Sequence, residues 1–534
     1  MRKRFWFGPV AAGLAVLTIH ASPPADDLIA RIHFAGAATV AANTNAVAFT
    51  NLWCTPEARV LRDQTLDKLA RAPAAWFRQK IPAGAGDGAA QLRPLLDDFL
   101  SAEWFLQVRD ATNGSPEYAL AIHLAPGRAA LWETNLENVL QAWTGMAVEK
   151  RADGWRLKKH RPPDAIQFTR TGDWVVFGLG QDSLPLTDEW VRQAAAAKRP
   201  APADNEAWFA ADLDWPRLAQ WFPSANPLDL PETQWRVAAR ELNLRWDGKL
   251  LFSSPRDLNL ETWRIPTNQI HMPLISFTAI RGFAPWLEKQ DWIQPYQLYP
   301  VPNQILTWAM LGLPLQTFVA LPRPDALQSI AALKYKLSAN PGWRNNFVLP
   351  LTMNATNNRI SFTGLPFVAP DIEARHEPAS DFLFGEVFPN TPGSRKPLPP
   401  ELYAQLSQTN LVYFDWEVTG ERLKRLPQLT QLALMVTGHK QLDARSAAGK
   451  WLASLILQNQ TAVTEVLQTS PTELTFKRKA PAGFTAIELT ALANWLEATN
   501  FPGCDLHGLP RRNPRRPNPA VPGAPPSVQV IQMP

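Results

Sequence analysis

Hydrolytic chemistry needs paired carboxylates, a nucleophile beside a base, or a metal held by several side chains. Asp97 and Asp98 fall in LRPLLDDFLSAEWF, just before a strand-like run, and Asp212 and Asp214 fall in AADLDWPRL. Residues two apart on a strand face one side, so Asp212 and Asp214 could both address a cleft. Asp214, however, precedes Trp215-Pro216 at a helix start, which is the place of an N-cap. The capping assignment is the preferred one.

Metal and nucleophile patterns are missing from the sequence. The eight histidines are His20, His33, His123, His160, His271, His376, His439 and His507, and no two lie at i,i+3 or i,i+4. There is no HExxH and no Cys–His cluster. His123, inside YALAIHLA, reads as a satisfied structural histidine. No G-x-S-x-G elbow occurs; Ser183 follows a strand with Asp182 beside it, but adjacent turn residues do not build a triad. Gly178-Leu179-Gly180 is a lone GxG, and no GxxxxGK[ST] phosphate cradle is present. No catalytic, cofactor-binding or metal residue is therefore assigned, and no cofactor is expected. Cys54 and Cys504 are the two cysteines; in an oxidising compartment they could pair, and otherwise they are two small apolar residues.

The elements that would carry these residues alternate in type. EWFLQVRD (103–110), EYALAIHLA (117–125), DWVVFGLG (173–180), ELNLRWDGKLLF (241–252) and TELTFKRK (472–479) alternate apolar and polar residues, as half-buried strands do. Asn113-Gly114, Asp153-Gly154 and Asp247-Gly248 read as hairpin turns. Residues 56–72 place Val60, Leu61, Leu66, Leu69 and Ala70 near one helical face, and residues 128–143 do the same with Leu131, Trp132, Leu136, Val139, Leu140 and Trp143. The fold class is α+β, with antiparallel sheets covered on one face by helices. Trp104, Trp155, Trp174, Trp208 and Trp246 sit in strand-like runs and are assigned to the core.

The chain also echoes itself. SFTAIRGFAPWLEK (276–289) and GFTAIELTALANWLEA (483–498) share FTAI and WLE, and AWFAADLDWPRLAQWF (207–222) resembles LVYFDWEVTGERLKRL (411–426). Aligning Phe277 with Phe484 and Leu213 with Val418 gives offsets of 207 and 205 residues. Weaker matches follow in the same order. An internal duplication of a unit of about 200–230 residues is expected. The first unit would span 25–262. The second would span 263–500 and include a terminal strand–helix from the FTAI segment at 483.

The two ends differ from the middle. Arg2, Lys3 and Arg4 precede an uncharged stretch, Phe5 to Ile19, of 15 residues. That is short for a bilayer span of roughly 20 and suits a secretory signal with a cut after Ala21, so residues 1–21 are a signal peptide or an N-terminal anchor. Export to the periplasm or cell envelope follows, with membrane association through residues 5–19 if the stretch is retained. Residues 501–534, rich in Pro and Arg, read as a disordered tail. Net charge is +5, of which Arg511, Arg512, Arg515 and Arg516 contribute four, so the body is near neutral and nucleic acid is not an expected partner.

TPEARVLRDQTLDKLARAP, LLDDFLSAEWFLQVR, LISFTAIRGFAPWL, TNLVYFDWEVTG and GFTAIELTALANWLE resemble a group of large exported bacterial proteins of unknown function. The resemblance covers most of residues 28–500. It implies export and the strand–helix pattern, and it carries no reaction, cofactor or site residue. The sequence thus leads to an exported, non-enzymatic protein with a groove between two similar halves, taking an envelope ligand or protein partner. The rival readings are an extracytoplasmic glycan hydrolase and a membrane-tethered structural or assembly component.

Overall fold

The computed structural model describes residues 27–503 except 78–80, 82–85, 111–115, 159–164, 182, 202–206, 222–229, 272, 289–300, 312–315, 340–350, 366–367, 379, 388–399, 427–441 and 458–459. Residues 1–21, the Asn113-Gly114 turn, Cys504 and the tail from 504 lie outside the described residues.

Among the described residues, ten strands come from the first half: β1 (Leu28–Phe34), β2 (Trp104–Arg109), β3 (Glu117–His123), β4 (Glu149–Arg151), β5 (Gly154–Lys158), β6 (Ala165–Thr171), β7 (Trp174–Gly180), β8 (Phe209–Leu213), β9 (Glu232–Arg240) and β10 (Asn243–Leu251). Ten more follow: β11 (Leu274–Arg281), β12 (Gln304–Met310), β13 (Thr317–Pro322), β14 (Thr352–Ala355), β15 (Arg359–Thr363), β16 (Asp371–Glu377), β17 (Ser380–Glu386), β18 (Leu411–Val418), β19 (Thr461–Ser470) and β20 (Glu473–Ala480).

All twenty join one antiparallel sheet. The two halves meet where β10 pairs with β20, Asp247 opposite Lys477. Outward from this join the first half runs β10, β9, β8, β1, β2, β3, β7, β6, β5, β4. The second runs β20, β19, β18, β11, β12, β13, β17, β16, β15, β14. Each half therefore places its ten strands in the same order.

The helices are α1 (Ala37–Ala42), α2 (Val47–Trp53), α3 (Pro56–Phe77), α4 (Ala89–Ser101), α5 (Arg128–Thr144), α6 (Pro185–Ala197), α7 (Trp215–Trp221), α8 (Ala284–Leu287), α9 (Ala326–Ala339), α10 (Pro400–Leu406), α11 (419–426), α12 (Ala447–Ile456) and α13 (Ala486–Glu497). No helix among the described residues is long and apolar enough to cross a membrane.

Covering is two-sided on the flanks, which corrects the one-face expectation. Ala119, Ala121 and Val176 pack with Leu186 and Trp190 of α6, while Ile122, Trp155 and Val175 pack with Leu95 of α4 and Trp132 of α5. The strands around the join differ: in β9 and β10 buried residues alternate with half-buried or exposed ones, so only one face is covered. The five tryptophans assigned to the core are all buried. Burying such a side chain is worth on the order of 3 kcal/mol.

Helices from opposite ends of the chain form one cluster beneath the join. Leu52, Ala58 and Leu61 pack with Trp451, Leu455, Ala486 and Leu489. Trp53 donates to the Ala482 carbonyl at 3.3 Å, and Lys68 to the Leu496 carbonyl at 2.6 Å. Val60 is not on this face; it is exposed, and Leu61 and Leu66 take the buried side.

Two other sequence readings are corrected. The first FTAI is strand β11, whereas in the second Thr485 caps α13 and Ala486 and Ile487 open the helix. Identical words adopt different structures because strand pairing decides one and a Thr485–Glu488 capping box decides the other. Asp247-Gly248 is no turn but lies mid-strand in β10. The chain reverses at Glu241-Leu242, both with positive φ. Phe501 packs on Trp495 with ring centroids 4.9 Å apart, so residues 501–503 belong to the fold rather than to the tail.

Candidate functional site

The four carboxylates singled out for hydrolysis are each engaged locally. Asp97 pairs with Arg93 of the same helix. Asp98 binds Arg128 and accepts from the Trp132 indole at 2.8 Å. Asp212 pairs with Arg236 at 2.9 Å. Asp214 accepts from the Arg217 backbone N–H at 3.0 Å, the capping role expected of it. Asp97-Asp98 sit on α4 and Asp212/Asp214 at the β8–α7 junction, each with its own cationic or backbone partner.

The remaining singled-out residues are also accounted for. Ser183 is exposed, and Asp182 lies outside the described residues. His123 is exposed at the end of β3, with its ring 5.0 Å from that of Trp174. His33 is buried; its Nε2 meets Glu103 at 3.0 Å and its ring stacks on Phe105. Gly178 is a packing glycine: a Cβ there would sit 2.3 Å from the Thr187 hydroxyl of α6. Cys54 is exposed at the end of α2, and its pairing lies outside the described residues.

The buried carboxylates are elsewhere. Glu117 accepts from the backbone N–H groups of Leu186 and Thr187 at 3.1 and 2.9 Å and from the Thr187 hydroxyl at 3.0 Å. It thereby holds the N-terminus of α6, where the helix dipole favours negative charge. Glu417 does the same for α13, accepting from Ala486 N–H at 2.7 Å, with Arg422 at 2.7 Å and the Thr419 hydroxyl at 3.0 Å. Asp415, two residues earlier on the same face, accepts from the Thr278 hydroxyl at 2.6 Å. Burial pushes both carboxyls above the ordinary carboxylate range, against the pull of Arg422. Arg478, bidentate to Glu488 at 2.7 and 2.8 Å, closes this network. These groups bind helices to the sheet, and one visible signal marked them: charges inside LVYFDWEV, a run apolar on both faces.

The surface best placed to meet another molecule is the uncovered face at the join. Its middle row runs Arg236, Asp247, Lys477, Glu465 across β9, β10, β20 and β19, alternating in sign. Arg245 and Lys479 stand side by side in the next row, both near Glu241, at 2.5 and 4.0 Å. Lys249 pairs with Glu473 at 3.2 Å. Asp247 and Glu465 are half-buried, and loss of solvation raises both carboxyls despite Lys477 beside them. The result is a polar strip flanked by the two-sided parts of the sheet. Chemically it can offer ion pairs and hydrogen bonds, and it presents no nucleophile–base pair. On the opposite, helical side lies a small cavity lined by Leu52, Leu455, Phe484 and Leu489, with room for about one water.

Among the described residues no group of three or more His, Cys, Asp or Glu side chains is arranged to hold a metal. Compared with family models, with curated proteins and with solved structures, the chain matches none.

Proposed function

We propose that the chain is an exported, non-enzymatic binding protein of the cell envelope, built from two copies of one ten-strand α+β unit joined edge to edge. The common strand order of the two halves supports the duplication. The offset of 205 residues between Leu213 and Val418, at the ends of the corresponding strands β8 and β18, is consistent with it, whereas the two FTAI words fall on elements that do not correspond. The positive and apolar start supports export, and its retention would tether the protein through residues 5–19. The groove expected between the halves corresponds best to the polar strip over β9, β10, β20 and β19. That strip is the observation that carries the reading: it is the part of the central sheet left uncovered, and it spans both halves.

The test is native mass spectrometry of the full chain isolated from its own cells, beside R245E and K479E variants. A ligand or partner present on the wild type and lost from both variants supports binding at the strip. Retention by the variants, or a wild type that is always bare, removes it. A hydrolase acting through Asp97, Asp98, Asp212 or Asp214 is not favoured, because each already serves a neighbouring element.

A further inference from the structure

β16 and β17 carry an unusual face. Asp371 lies directly opposite Glu386, and Glu373, Arg375 and Glu377 follow along β16 on the same side. Asp371, Glu377 and Glu386 are 2%, 5% and 4% exposed. Arg359 reaches Asp371 from β15. Arg375 binds Glu373 and Glu386, both at 3.2 Å, and donates to Gln269 at 3.0 Å, which in turn donates to Glu377 at 2.7 Å. β13, on the other side of β17, sets Phe318 against Glu386 and adds no titratable group. The opposite face is apolar over Ile372, Ala374 and Leu383, covered by Ile330 and Leu333 of α9, and ends in an exposed pair, His376 with Asp381 at 2.5 Å.

Four carboxyls thus face two guanidinium groups. Asp371 Oδ1, Glu377 Oε2 and Glu386 Oε2 are buried without a hydrogen-bond partner among the described residues. An ionised carboxylate oxygen left bare in this way is costly, whereas a carboxyl proton both removes a charge and supplies a donor. Two carboxylates directly across an antiparallel pair also repel. The corresponding strands of the first half, β6 and β7, carry Gln167 and Thr169 on this face, neutral groups 3.3 Å apart.

We infer that Asp371 and Glu386 hold one proton between them at neutral pH, making this face a proton-binding site that empties as pH rises and loosens β14–β16 from the sheet. Burial and the neighbouring carboxylates raise both groups, with Arg359 and Arg375 opposing, which agrees with the geometry. The sign follows: groups raised in the folded state stabilise it when protonated, so their contribution is full at low pH and lost as pH rises through the folded values. The inference is independent of the ligand reading above.

The full chain, dialysed against EDTA, is compared with D371N and E386Q. Wild type should show a protonated-carboxyl stretch in the infrared at neutral pH that E386Q or D371N lacks. Hydrogen-exchange protection of residues 352–377, corrected for intrinsic rates, should fall between pH 6 and 8.5 in wild type and stay level in the variants. Wild type should also take up about one more proton on folding than E386Q near neutral pH. Absence of the infrared band together with parallel protection profiles would overturn the proposal. So would recovery of protection on adding back calcium or magnesium, which would make the occupant a cation. If the variants fail to fold, the wild-type protection profile decides alone: a fall between pH 6 and 8.5 confined to residues 352–377 supports the proposal, and a fall shared by the whole sheet overturns it.

Discussion

A carboxylate inside a strand survives only where other groups take up its charge, and Glu417 shows how many are used. It accepts a helix N-terminal N–H, a hydroxyl and a guanidinium at once. E417A strands the first turn of α13 and leaves Arg422 only the longer contact with Asp415 at 3.6 Å, and should cost about 3–5 kcal/mol in denaturant unfolding. D98A removes the partner of Arg128 and Trp132 near the surface and should cost only about 1–2 kcal/mol. Asp415, raised by burial, contributes stability that is present at low pH and lost as pH rises through its folded value. D415N should therefore flatten the fall in stability between mildly acidic and alkaline pH, as measured by urea midpoints across the range. Residues of this kind are hard to read in a sequence. Alternation places a polar residue on the solvent side, and β16 (DIEARHE) alternates well while turning its charges inward. The capping aspartate, by contrast, was legible because Asp214-Trp215-Pro216 is a local signal that needs no tertiary contact.

Local signals decide elements only where tertiary pairing does not compete. Asp247-Gly248 is a strong hairpin word, yet β9 and β20 pair with it on both sides and hold it straight. Trp235 and Phe476 flank Gly248, and a glycine between two aromatics leaves room for both rings. The reversal falls instead on Glu241 and Leu242, at φ 52° and 60°, a region where a Cβ costs about 1 kcal/mol or more per residue. Replacing the pair by Asn-Gly (E241N with L242G) should raise stability by about 1 kcal/mol, seen as a higher melting temperature. The turn was illegible because neither residue type belongs in it. Gly178 is the converse case: a lone GxG of no sequence meaning is required by the approach of α6. G178A should cost about 1–3 kcal/mol through its clash with Thr187. β10, with one open face, was legible as a strand because its burial repeats every second residue, although a turn was read into its middle, while β9, which alternates equally well, was not singled out.

At the scale of the molecule, length suggests several independent domains, and the connectivity argues otherwise. β10 belongs to the first half and its outer partner, β20, is the last strand among the described residues. α2 and α3, near the start, share an apolar cluster with α12 and α13, near the end. Trp53 contacts Trp451 and Phe484, with ring centroids 5.0 and 6.1 Å away, and Gln64 donates to Glu497 at 2.9 Å. A chain cut after residue 470 would lose β20 and α13 together. It would bare the β10 edge and strip the covering from Leu52 and Leu61, both near-fully buried in the intact fold. An unpaired edge beside exposed apolar helices is open to proteolysis and aggregation. Limited proteolysis of this truncation should therefore cleave the first half as readily as the second, and calorimetry of the intact chain should show the halves unfolding together. A truncated chain that leaves a resistant fragment of residues 27–251 would mean that each half is stable alone and that the join only tethers them. The interlock of the two ends was not legible from repeats, because the matched words aligned segments to one another without telling which of them touch. It is the antiparallel β10–β20 pair that turns two similar halves into one sheet, by making a strand from the end of the second half the missing edge of the first.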